Sequence, residues 1–143
     1  MSVLLATVLA VLVGDQAIKL MLRRLVGSEV LALGPCGSVR VVAGRLWLQR
    51  LGGPFSGWLT WSIWAAASVS LVIAAALVSV DPVLIGLLVG GSLSHAIESS
   101  LRGSIADYIC VRNCAFNVAD LAVAMGAIGI VAELLMFMHQ KLA

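Results

Sequence analysis

Charged side chains are scarce in this chain: Lys, Arg, Asp and Glu supply 11% of its 143 residues, where a soluble domain carries about 25%. With 62% hydrophobic residues and a mean hydropathy of +1.11, that deficit excludes a water-soluble globule and leaves an integral membrane protein. The nine basic residues against seven acidic give a net charge of only +2, and none form a long run. The electrostatic footprint of a nucleic-acid binder is therefore missing, and the partner that composition implies is the lipid bilayer. Nor is there room for a separate soluble domain, since a handful of spans of about 20 residues each uses most of the length. The N-terminus also lacks the basic stretch and small-residue cleavage site of a secretory signal, so the first apolar run reads as a retained span.

What is present organises into one membrane-embedded domain, residues 1–143, with spans expected at about 2–22, 54–80, 83–101 and 116–138. Trp58, Trp61 and Trp64 sit at the start of the second span, where interfacial anchors belong. Ser79 to Pro82 (SVDP) allows only a tight hairpin between the second and third spans, and Gly90, Gly91, Ser92 and Ser94 in the third permit close helix approach. Between about residues 24 and 53, Gly and Pro punctuate short runs such as VRVV and RLWLQRL, whose alternation and β-branched content read as strands of a small cradle at the membrane surface. The segment from Arg102 to Cys114 reads as a short polar loop. The expected fold class is thus an all-α membrane protein of four transmembrane helices with a small β-cradle.

Four spans bring the polar end of the first, the cradle, the third connection and the start of the fourth to one face of the bilayer. Asp15, Gln16, Lys19, Asp107, Asn117 and Asp120 converge there. Carboxylates beside lipid are costly and usually mark function. Two of them held close in a low-dielectric site share one proton, so that one acts as base toward a water and the other as acid. The same spacing also allows a plainer arrangement: Asp120 favouring the positive end of the fourth helix, and Asp107 solvated or paired with Arg102 or Arg112. Spacing leaves both readings open.

Three blocks, GDQAIK (Gly14 to Lys19), LVGGSLSHAIESSLRGSIADYI (Leu88 to Ile109) and AFNVADLAV (Ala115 to Val123), resemble consecutive signature blocks of the lipoprotein signal peptidases, or signal peptidase II. A weaker block, LGGPFSG (Leu51 to Gly57), extends the similarity over nearly the whole chain, and FNVAD is its most specific piece. The resemblance implies a four-span aspartic endopeptidase that removes signal peptides from diacylglyceryl-modified prolipoproteins, without metal or organic cofactor. It also implies Asp107 and Asp120 as the catalytic pair, with Asp15, Gln16, Lys19 and Asn117 in support. The implied setting is the bacterial cytoplasmic (inner) membrane, multi-pass, with cytoplasmic termini and with the cradle and site facing outward. Eight of the nine basic residues (Lys19, Arg23, Arg24, Arg40, Arg45, Arg50, Arg102 and Arg112) lie near the first and third connections, which the positive-inside rule alone would place in the cytoplasm. The chain also departs from the family: His95, Glu98 and Ser99 stand where it usually has Asn, Asp and Arg, and the Asn of its NxGAAF block is missing from LGGPFSG. A competing reading is a non-catalytic paralogue that binds a lipidated peptide or serves as a subunit of a membrane complex.

His95 and Glu98, one helical turn apart, have the spacing of two metal ligands, but a buried polar pair tying helices together is the favoured reading. Cys36, Cys110 and Cys114 would be allowed a disulfide if the site faces outward; zinc is less favoured, and free thiols lead. Glu133 is expected to snorkel or to pair with His139 or Lys141.

Overall fold

The computed structural model describes residues 1–25, 31–32, 38–44, 56–112 and 114–142. Four helices are long and apolar enough to cross a membrane: α1 (Ser2–Leu25), α2 (Ser56–Val78), α3 (Pro82–Arg102) and α4 (Val118–Leu142). The protein is a multi-pass membrane protein. Half of the apolar window of α3 is buried, against 17%, 0% and 11% in α1, α2 and α4, so α3 is the core of the bundle and the others turn most of their surface to lipid. It packs against α1, α4 and α2.

Glycine makes this central position possible. A Cβ on Gly90 would lie 3.0 Å from the Val8 carbonyl of α1, and one on Gly91 would lie 2.6 Å from the Ala119 carbonyl of α4. Backbones this close leave no room for a side chain, and in lipid such packing replaces the hydrophobic drive available in water. On the remaining side, Trp64 Nε1 of α2 donates to Ser92 Oγ at 3.0 Å.

The α2–α3 hairpin turns on Ser79, whose φ is +59°, and α3 then starts with Asp81 as its cap and Pro82 in the first turn. The Asp81 side chain accepts from the Val83 N–H at 2.8 Å. Glu133 does not turn to His139 or Lys141 as expected: its carboxylate accepts from the Asp81 N–H at 2.9 Å, tying α4 to this hairpin. At the other end α3 stops at Gly103, with φ +66°, where the chain leaves for the sheet.

That sheet has four antiparallel strands in the order β1 (Leu31–Ala32), β2 (Ser38–Gly44), β3 (Ile105–Val111) and β4 (Cys114–Phe116). Half of it comes from a segment read above as a polar loop. Along β3 the residues Ala106, Tyr108 and Cys110 are buried while Asp107 and Ile109 are half-buried, an alternation hidden in the sequence by the polar residues around it. Arg24 and Leu25, assigned above to the cradle, belong to α1, and of the proposed cradle only β1 and β2 lie within the described residues. Val42 and Asp107 are backbone register partners in the β2–β3 ladder. The LGGPFSG block up to Phe55 and Cys36 lie outside the described residues; Cys110, buried, and Cys114, exposed, are free thiols.

Candidate functional site

The first turn of α4 organises the polar end of the bundle. Asn117 precedes the helix and Asp120 is its third residue, and the two cap each other: Asp120 Oδ2 accepts from the Asn117 N–H at 2.8 Å, while Asn117 Oδ1 accepts from the Asp120 N–H at 3.0 Å. The plainer reading of Asp120, a carboxylate at a positive helix end, therefore holds in part. Asn117 does more than cap. Its fully buried Nδ2 donates to Asp107 Oδ1 at 2.7 Å and to the Ala106 carbonyl at 3.3 Å, so one amide joins both carboxylate-bearing elements.

Asp107 reaches Asn117 from β3, not from a loop. Burial pushes its carboxyl above the usual range. The Asn117 hydrogen bond opposes that rise, the Asp120 charge adds to it, and His95 and Lys19 work against it. The residue beside it, Tyr108, turns into the bundle, where its hydroxyl accepts from the Val118 N–H at 3.1 Å and donates to Asp15 Oδ1 at 3.4 Å. Burial pushes that phenol up to about 12, so it stays a neutral donor.

Asp15 and Lys19 of α1 are buried beneath the pair. Asp15 Oδ2 accepts from Ser94 Oγ and meets Lys19 Nζ, both at 2.6 Å, and its Oδ1 also takes the Ala119 N–H at 3.3 Å. One carboxylate thus holds α3, the β3 strand and the first turn of α4 against α1. Lys19 passes the charge on to Glu98 Oε2 at 2.7 Å, and the other oxygen of Glu98 takes the Arg23 guanidinium. Asp15, Lys19 and Arg23 recur every four residues on one face of α1, and with Glu98 they make two anions and two cations. Net neutrality is what allows Asp15, Lys19 and Glu98 to stay buried beside lipid, with the partly exposed Arg23 completing the balance. Gln16 Nε2 adds a 2.8 Å bond to Ser94 Oγ.

His95 and Glu98 do not pair with each other. His95 Nε2 lies 3.1 Å from Asp120 Oδ1, toward α4, while Glu98 turns to α1. Each ties helices together, through separate partners, and among the described residues there is no group of three or more His, Cys, Asp or Glu placed to hold a metal. Asp15, Gln16, Lys19, His95, Glu98, Asp107, Asn117 and Asp120 all lie in this one network. Reading the sequence missed Ser94, Tyr108 and Arg23: Arg23 could have been found from the four-residue recurrence with Asp15 and Lys19, and Tyr108 as the only tyrosine, next to Asp107.

Residues 7–136 match the family described as Signal peptidase (SPase) II. A protein called lipoprotein signal peptidase, from Methylorubrum extorquens (strain PA1), is 31% identical over 142 residues, a match spanning 90% of this chain and 83% of that one. Two solved structures, each described as a bacterial membrane enzyme structure obtained by the in meso method, share the fold. One matches with a TM-score of 0.79 over 99% of this chain and 92% of its own, the other with 0.76 over 94% of each, both at 21% identity.

Proposed function

The chain belongs to the signal peptidase II family, and on that premise we propose that it is a membrane aspartic endopeptidase in which Asp107 and Asp120 activate a water to cut the signal peptide from diacylglyceryl-modified prolipoproteins. The observation that carries the reading is Asn117, whose side chain is bonded to Asp107 and whose side chain and backbone N–H are in reciprocal contact with Asp120. One carboxylate held by the Asn117 side-chain amide and the other by the Asn117 backbone N–H, each in reach of the other's charge, support a pair that holds one proton between them. One carboxylate takes a proton from water as the water oxygen adds to the scissile carbonyl, and the other protonates the carbonyl oxygen. Asp15, Lys19, Gln16 and Asn117 hold the two elements in register, and His95 and Glu98 fix α3 to α4 and α1. The reaction so written needs two carboxylates and a water, with no metal.

The substrate enters sideways from the bilayer, acyl chains in lipid and scissile bond at the polar end of the bundle. We place the protein in the bacterial inner membrane with both termini in the cytoplasm and the site outward, because an exported lipoprotein presents its cleavage site there. The basic residues near the first and third connections argue for the opposite orientation. Arg23, however, is committed to Glu98, and Lys19 is buried in ion pairs, so two of them are internal partners and not loop charges.

The test is incubation of the purified protein, in detergent, with a diacylglyceryl prolipoprotein, scored for release of the signal peptide. Release is expected. Binding of the prolipoprotein without cleavage would overturn the peptidase and favour the non-catalytic, peptide-binding reading.

A further inference from the structure

The two carboxylates of the pair are not equally provided for. Asp120 has the Asn117 backbone N–H on Oδ2, His95 Nε2 at 3.1 Å from Oδ1, and a place in the first turn of a helix, where the dipole favours negative charge. Among the described residues Asp107 has one donor, Asn117 Nδ2, and it sits on a strand with no helix end behind it. An N–H bonded to a carboxylate oxygen stabilises the ionised form, while desolvation favours the protonated form. Within the one-proton pair of the proposed peptidase, on which this inference rests, the arrangement therefore has a polarity.

We infer that His95 is a positioning residue which, through Nε2, holds Asp120 as the carboxylate that receives the proton of water and leaves the pair's proton on Asp107. The other ring nitrogen, Nδ1, is buried without a hydrogen-bond partner among the described residues, so the ring's polar contact is made toward Asp120 alone. Burial on β3 acts in the same sense by favouring the proton on Asp107.

In bond terms, the water oxygen joins the carbonyl carbon as its proton passes to Asp120, and Asp107 gives its proton to the carbonyl oxygen. Asp120 then returns a proton to the departing amide nitrogen, the C–N bond breaks, and Asp107 regains its proton from the tetrahedral hydroxyl as the new carboxyl forms. Two protons move in and two move out, and the pair ends as it began.

Other charged and titratable groups bear on the same point. From α1 these are Asp15, Lys19 and Arg23, from β3 Asp107 and Tyr108, from α4 Asp120, and on α3 itself Glu98. Glu98 is spent on Lys19 and Arg23, and Asp15 on Lys19 and Ser94, which leaves His95 as the side chain of α3 that meets Asp120.

The experiment compares the parent with His95→Gln, which keeps an N–H donor without the possibility of charge, and His95→Leu, which removes both. Two readings are taken in detergent: kcat/KM for prolipoprotein cleavage against pH, and the carboxyl carbon resonances of Asp107 and Asp120 against pH. With His95→Leu the acid limb of the rate profile and the Asp120 titration both move to higher pH by about one unit, a tenfold change in protonation ratio at fixed pH. His95→Gln falls between the parent and Leu. A uniform loss of rate with the limb and the Asp120 titration left at their parent positions would overturn the inference, as would a parent protein in which Asp120 carries the proton at neutral pH. If His95→Leu does not fold, the Gln variant decides, by a shift or its absence. Failure of the parent to cleave at all would count against the peptidase, and the carbon titration would then judge His95 by itself.

Discussion

Asn117 separates the demands of fold and chemistry, and replacing it by Ser or Ala pulls them apart. Asn117 fills three positions: its Oδ1 accepts from the Asp120 N–H, its Nδ2 reaches Asp107, and its own N–H serves Asp120. A serine keeps the first and third, because its hydroxyl also caps a helix, but is too short to reach β3. The Ala variant loses the cap as well. Losing a cap costs about 1 kcal/mol, and losing a hydrogen bond to a charged group at a buried site costs about 1.5–3 kcal/mol more. The Ala variant is therefore expected to lose about 2.5–4 kcal/mol of unfolding free energy, and Ser to retain about 1 kcal/mol of that. Turnover should respond differently: without its tether Asp107 is free to leave the productive geometry, and both variants should cleave at least tenfold more slowly, about 1.4 kcal/mol in the barrier. Thermal unfolding in detergent beside signal-peptide release reads both quantities. An Asn117→Ser protein that cleaves at the parent rate would refute the reasoning, since the bridge to Asp107 would then contribute nothing.

Glu98→Gln leaves Asp15, Lys19 and Arg23 with one unbalanced positive charge in a buried site; it should destabilise the bundle by about 3–5 kcal/mol in thermal melts, and Lys19→Met in the same chain should recover part of the loss. Gly91→Ala places a Cβ against the Ala119 carbonyl, pushes the first turn of α4 off α3, and is expected to cost about 1–3 kcal/mol together with activity. Gly14→Ala meets nothing within 4 Å and should be neutral or stabilising by up to about 1 kcal/mol, the matched control in the same melts. Because burial raises the Asp107 carboxyl, the folded state holds that proton more tightly than the unfolded chain. The resulting stabilisation is complete below the unfolded value and is lost as pH rises through the folded one, so the melting temperature of the parent should fall relative to Asp107→Asn over that acid window.

The charged residues were the most legible part of this chain, because in so apolar a sequence each one stands out against its surroundings. Asp15, Lys19, Asp107 and Asp120, with the neutral Asn117, were all read to the same polar end, where the structure brings them together. Their partners were harder to read. His95 and Glu98 are three residues apart, which turns a helix by about 300° and leaves the two side chains about 60° apart. That is enough for one to face α4 and the other α1, and no periodicity in the sequence says which neighbour each will find. Strand β3 was hidden because Asp107 falls inside it and Arg102 and Arg112 flank it, masking what is, in buried positions, a clean alternation of Ala106, Tyr108 and Cys110. Glu133 was assigned to the nearest basic residues in sequence, whereas the turn at Asp81, distant in sequence and adjacent in space, offered an unpaired backbone N–H.

The acidic pair itself is tested most directly by measuring kcat/KM for signal-peptide release in Asp107→Asn, Asp120→Asn and the double variant, with folding checked by thermal unfolding. If the two carboxylates act as a unit, each single substitution removes cleavage while the protein remains folded, and the double variant is no slower than either single one. A folded single variant that still releases the signal peptide at near the parent rate would contradict the account.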